Sequence, residues 1–149
     1  LYKTYLIMRQ LLIFLYLFVF NYVHSEAKHF TRCELVHELR RQLTFPEYQI
    51  RDCKYLLFKH ESARHTDIVS KPNKNGSRDH GLFQINDNLW CSNTTLPGKG
   101  CHVTCAEITT DDITKASICA KRIFNIQGFL AWHGWEKFCQ KDLPDISNC

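Results

Sequence analysis

The chain has 149 residues, 44% of them hydrophobic and 23% charged, with six glycines and four prolines. That composition excludes a disordered, collagen-like or low-complexity protein, and the length suits one domain with a tail. A formal charge of +4 is mild, without a run of five like charges, and lacks the dense basic stripe of a nucleic-acid binder.

The N-terminal tail comes first. Leu11 to Phe20 (LLIFLYLFVF) is an unbroken apolar run behind Met8, Arg9 and Gln10. A basic start followed by a short apolar stretch is the pattern of a secretory signal. From Leu11 to Val23 the run is too short for a bilayer, which needs about 20 residues, so a membrane anchor is the weaker reading. Small residues at Ser25 and Ala27 place cleavage before Lys28. Residues 1–27 are therefore expected to be a signal peptide, with 1–7 upstream of a start at Met8, and residues 28–149 a single secreted, extracellular domain. Loss of Lys3, Arg9 and Glu26 leaves that domain with a net charge of +3. Eight cysteines from Cys33 to Cys149, without paired CxxC knuckles, fit the same oxidising compartment as a disulfide framework.

Thr31 with Glu34 forms a capping box, and Leu35, Val36, Leu39 and Leu43 then share a helical face. Pro46 opens a second helical segment with Ile50, Cys53 and Leu57 on one stripe. Residues 70–76 turn polar and end in Asn75-Gly76, a strong hairpin signal. Strand-like residues follow at 81–86 (GLFQIN), and 89–105 reads as loop. Thr110, Asp111 and Asp112 mark another helix start, continued by Ala116, Ala120 and Ile123. A last short helix is expected over 129–138. Helices, a small hairpin region and helices again give an α+β fold with helix in excess.

His60-Glu61 with His65 invites a zinc-protease reading. That motif needs its histidines four apart; here they are five apart, about 140° around a helix, and they diverge. No metal is expected. No G-x-S-x-G supports a serine nucleophile, and the cysteines belong to the disulfide framework. Glu61 continues the stripe of Ile50 and Leu57, where burial would favour the protonated carboxyl, although periodicity alone favours a frayed helix end open to solvent. Asp79 sits in a polar stretch (NGSRDHG) that favours the carboxylate. A neutral and an ionised carboxyl across a cleft is the pairing glycoside hydrolysis uses, but periodicity does not show that these two meet.

Several motifs stand in order: K-x-F-x-R-C-E-L (28–35), Glu61-Ser62, S-x-D-x-G-L-F-Q-I-N (77–86), Trp90-Cys91, C-x3-C-x7-D-I-x5-C (101–119) and A-W-x-x-W (131–135). Together they resemble the c-type (chicken-type) lysozymes of the lysozyme/α-lactalbumin family, in an insect-like precursor form, over the whole of residues 28–149. The resemblance implies a helical lobe and a small β-hairpin lobe with a cleft between them. It also implies four disulfides: Cys33–Cys149, Cys53–Cys139, Cys91–Cys105 and Cys101–Cys119. Glu61 stands at the family's general acid and Asp79 at its nucleophile, with Trp132 packed on the acid. Ser77 and Asn86 match residues that orient the nucleophile, and Gln84, Asn86, Trp90, Ala131 and Trp132 match the sugar-binding positions. The implied reaction is retaining hydrolysis of the β-1,4 linkage after N-acetylmuramic acid in bacterial peptidoglycan, extending to chitin oligomers. It requires no cofactor, no nucleic acid and no stable membrane insertion, and a monomer is expected.

The chain departs from that pattern at His80, which replaces an aromatic, at Arg64-His65, and at Leu89, where an aromatic commonly stacks on sugar. His60 and His133 flank candidate site residues, so activity could respond to pH near histidine titration. Thr110, Lys115 and Ala116 occupy positions where a calcium loop like that of α-lactalbumin would need acids, so no calcium is expected. Two alternatives to hydrolysis are a non-catalytic glycan binder, opposed by both carboxylates, and cationic membrane disruption, opposed by the modest charge. Asn75 and Asn93 begin glycosylation acceptor patterns; an unused acceptor in a tight turn is the competing reading at Asn75.

Overall fold

The computed structural model describes residues 2–23, 27–42, 45–47, 50, 62–132 and 145–149, with backbone alone at residues 2 and 17–23. The apolar N-terminal run lies in helix α1 (Tyr2–Val23), whose side chains from 3 to 16 are exposed. Among the described residues no helix is long and apolar enough to cross a membrane.

Helix α2 (Arg32–Arg41) begins at the expected capping box. The Thr31 N–H donates to Glu34 Oε2 at 2.8 Å, and the Glu34 N–H returns to Thr31 Oγ1 at 3.3 Å. Both helix-start amides are thus satisfied locally, while Arg40 and Arg41 suit the negative end of the dipole. Leu35, Val36 and Leu39 are fully buried, as their spacing requires. Ile50 is also buried; Leu43, Cys53 and Leu57 lie outside the described residues.

The polar middle of the chain has little regular structure. Strand β1 (Asp79–His80) pairs antiparallel with β2 (Ile85–Asn86), setting Asp79 opposite Asn86 and His80 opposite Ile85. On its other side β1 meets Val69, and the Ser70 N–H donates to the Asp79 carbonyl at 2.9 Å. The Asn75-Gly76 signal does sit at the tip of this hairpin, with Gly76 at φ +83°. The strand expected over 81–86 is corrected: residues 81–84 form a turn, and only Ile85-Asn86 is strand. Gly81 takes φ +70°, and a Cβ there would meet the Ile108 carbonyl oxygen at 2.4 Å, so both its backbone conformation and its surroundings call for glycine. Leu82, Phe83 and Ile85 are all buried, so this apolar run plugs the core instead of alternating across a sheet. The region expected as loop holds a short parallel pair, β3 (Cys91–Ser92) with β4 (Val103–Thr104).

A 3₁₀ turn (Ala106–Ile108) leads to helix α3 (Thr114–Gln127). It starts after the expected Thr110-Asp111-Asp112. Asp112 Oδ1 caps the Thr114 N–H at 3.0 Å, while Asp111 is drawn away to accept from the Lys28 N–H at 2.7 Å and the Thr66 hydroxyl at 2.9 Å. Ala116, Cys119, Ala120 and Ile123 bury one face of α3. A second 3₁₀ turn (Gly128–Ala131) follows, and most of the helix expected over 129–138 lies outside the described residues. Three of the expected disulfides are formed: Cys33–Cys149, Cys91–Cys105 and Cys101–Cys119. Cys53 and Cys139 lie outside the described residues.

Candidate active site

The polar hairpin and the end of α3 face each other across an open cleft of about 520 Å³. Asp79, Ser77, Gln84, Asn86, Trp90, Ala131 and Trp132 all line it, although the sequence scatters them over more than fifty positions. Glu61 lies outside the described residues, as do His60 and His133. Its neighbour Ser62 is buried.

Asp79 is held from several directions. Asn86 Nδ2 donates to its Oδ1 at 2.6 Å, and Asn73 Nδ2 donates to its Oδ2 at 3.1 Å. The Asp79 N–H donates to Ser70 Oγ at 2.9 Å, closing a second bond in that hairpin. The Ser77 hydroxyl sits between the two amides, accepting from Asn73 at 3.1 Å and Asn86 at 3.0 Å, and donates to Asn75 Oδ1 at 2.7 Å. Ser77 therefore aligns the carboxylate through the amides that grip it. The Asn86 amide has one orientation, because its Oδ1 accepts the Asn88 N–H at 3.0 Å and turns the NH₂ toward Asp79. The two amide donors grip the carboxyl group, which also lines the cleft.

Trp132 forms part of the opposite wall. It is buried, and its Nε1–H donates to the Phe83 carbonyl at 2.8 Å, so the indole is fixed with its polar edge satisfied. Trp90 is positioned by Gly100, where a Cβ would lie 2.5 Å from the indole ring. Gln84 stands at φ +46° with Nε2 donating to the Gly81 carbonyl at 2.9 Å, which leaves its Oε1 as the group it can offer a ligand. Leu89 lines the cleft and is 55% exposed, an apolar side chain with no ring to stack.

Sequence reasoning missed Asn73, whose position two residues before Asn75-Gly76 lets the hairpin turn fold it back over Asp79. It also missed Asp87, buried at 5% exposure behind β1. Asp87 accepts the Arg78 N–H at 2.9 Å, Asn93 Nδ2 at 2.6 Å, and lies 3.2 Å from His80 Nε2. Burial works against its charge, but the Asn93, Arg78 and His80 hydrogen bonds outweigh that and hold its carboxyl below the usual range.

His80 also lies beside Cys91 and Cys105, but those sulfurs are joined to each other and are not metal-binding thiolates. His65 stacks on His29 with ring centroids 4.4 Å apart. Between Cys105 and Cys119, Glu107 pairs with Lys115, Asp111 with Lys28 and Thr66, and Asp112 with Thr114. These acids are directed to separate partners and do not converge as calcium ligands would.

The model of the C-type lysozyme/alpha-lactalbumin family matches residues 28–149. The chain belongs to this family. It is similar to the lysozyme of Galleria mellonella, with 59% identity over 82% of this chain and 100% of the relative. It is also similar to the lysozyme of Hyalophora cecropia, with 55% identity over 85% of this chain and 90% of that one. Among solved structures, a lysozyme from Litopenaeus vannamei superposes with a TM-score of 0.68 at 30% identity, covering 78% of this chain and 91% of that chain. The family fold is thus that of the lysozymes: helices beside a small β region. Three of its bridges are formed among the described residues.

Proposed function

We infer that this chain is a lysozyme, a glycoside hydrolase that cleaves the β-1,4 linkage between N-acetylmuramic acid and N-acetylglucosamine in bacterial peptidoglycan. Similarity to insect lysozymes at 55–59% identity over most of the chain supports the activity. The observation that supports the site is the Asp79 carboxylate, gripped by Asn73 and Asn86 and open to the cleft that Trp132 borders.

In this reading Glu61 protonates the leaving oxygen. Asp79 forms or stabilises the glycosyl intermediate, and Glu61, now a carboxylate, activates water, so configuration is retained. Lysozymes are the type case of this division between two carboxylates, and the roles come from the residue match. Trp132 keeps the acid dry. Gln84, Asn86, Trp90 and Ala131 bind the sugars, and Ser77 aligns the nucleophile through Asn86. Chitin oligomers, which share the linkage, are a further substrate.

The working protein is residues 28–149, secreted after removal of 1–27, monomeric, and closed by a fourth bridge, Cys53–Cys139. Asn75 and Asn93 are its candidate glycan acceptors, with an unused acceptor the competing reading at Asn75. The test is clearing of a suspension of bacterial walls by refolded 28–149, beside its Asp79→Asn variant. Wild-type clearing with a strongly impaired variant supports the reading. Binding to walls without hydrolysis would replace it with a glycan-binding function.

A further inference from the structure

Asp79 is gripped by its own side-chain donors, but its two chain neighbours are gripped as well, and by one residue. Asp87 exchanges two hydrogen bonds with Arg78: its Oδ1 accepts the Arg78 N–H and its own N–H donates to the Arg78 carbonyl, both at 2.9 Å. Its Oδ2 faces the His80 ring at 3.2 Å. Residues 78 and 80 are therefore both fixed to the same buried carboxylate, with residue 79 between them. Asp87 is itself anchored from behind by Asn93 Nδ2 at 2.6 Å and by Lys99 Nζ, which donates to its carbonyl. The next residue back in the chain is Asn86, the closest donor to Asp79.

We propose that Asp87 is a positioning residue for the Asp79 carboxylate. It holds the peptide unit before Asp79 through Arg78 and the side chain after it through the His80 ring and, through Asn86, the amide that aims its Oδ1. The proposal rests on the reading of Asp79 as a residue of the reaction, and it adds what sets its place. It also gives His80 a use: where the family has an aromatic side chain, this chain has a ring nitrogen facing the carboxylate behind the site. A carboxylate that must meet a developing charge on a sugar carbon loses rate steeply with displacement, by about 10²-fold for a shift near 1 Å. Its hold on binding is weaker, because Gln84, Trp90 and Ala131 do not depend on Asp87 for a hydrogen bond.

The test uses residues 28–149 made in a host that adds no N-glycans, with Asp87→Asn, Asp79→Asn and the double variant compared at matched circular dichroism. Asp87→Asn should lower kcat on a chitin oligomer by about 10-fold, with chitotriose affinity within about two-fold of wild type. In the double variant the two losses should not multiply, since Asp87 acts through Asp79. The swap Asp87→Asn with Asn93→Asp returns a carboxylate to the same hydrogen bond and should recover part of kcat. Should Asp87→Asn fail to fold, Asn93→Ala removes one anchor and should give a smaller loss of the same kind. Wild-type kcat in the folded single variant, or losses that multiply in the double one, overturns the proposal. Full turnover in Asp79→Asn would instead overturn the catalytic reading beneath it.

Discussion

The two walls of the cleft are built by different physics. The wall carrying Asp79 has strands of two residues each, and its geometry comes from side-chain amides, hydroxyls and a buried carboxylate hydrogen-bonded to specific backbone groups. The wall carrying Ala131 and Trp132 follows α3, a 14-residue helix placed by burying Ala116, Cys119, Ala120 and Ile123. Apolar burial is non-directional and fixes where an element lies; hydrogen bonds are directional and fix where an atom points. The Asp79 carboxyl, aimed by hydrogen bonds within its hairpin, is on the first wall. Trp132 on the second is placed mainly by packing, with one hydrogen bond to the Phe83 carbonyl setting its ring.

Mutations can separate the two. The largest effect is expected at the proposed proton donor: if Glu61 has that role, Glu61→Gln removes the transferable proton and should lower wall hydrolysis by a factor on the order of 10² or more. Titration with chitotriose should show binding largely kept; lysis at the wild-type rate would refute the assignment. Next, Leu39→Ala in α2 deletes a fully buried side chain and should cost about 2–5 kcal/mol in denaturant unfolding, with turnover per folded molecule unchanged. Asn73→Ala should do the reverse. Asn73 is exposed and donates to Asp79 and Ser77, so kcat should fall several-fold while the melting temperature barely moves. Gly100→Ala should push Trp90 out of place and weaken chitotriose binding, read by tryptophan fluorescence, with kcat less affected than affinity.

The smallest effect is electrostatic. The Asp87 carboxyl is held below its usual range in the folded protein, against about 3.9 when unfolded. Its contribution to stability is thus full above that unfolded value and is lost as pH falls through the folded one. Asp87→Asn should flatten the loss of stability below about pH 4 in acid titrations followed by circular dichroism.

How much was legible depended on how local the cause was. The α2 start was readable because Thr31 and Glu34 satisfy each other within one turn. The start of α3 was misplaced because Asp111, three residues before that helix, bonds to Lys28, 83 positions away. The first four residues of the strand expected over 81–86 form a turn, in which Gly81 and Gln84 take positive φ and Gly81 packs against the distant Ile108 carbonyl. The cleft residues from Ser77 to Trp132 were identified by motif order, which carries three-dimensional information that periodicity lacks. Asn73 and Asp87 belong to no quoted motif, and only the folded pairing of 70 with 79 and 78 with 87 shows what they touch.

The Cys33–Cys149 bridge has a consequence for the unfolded chain. It closes a loop of 116 positions, whereas Cys91–Cys105 closes 14 and Cys101–Cys119 closes 18. In the loop-entropy picture a link of that span removes about 4.7 kcal/mol worth of unfolded-state freedom, and a 15-residue loop about 3. The short bridges tie down the neighbourhood of Trp90. The long one restrains nearly the whole domain at once, so cutting it alone should shift the global folding equilibrium most while leaving the cleft's own cross-links in place.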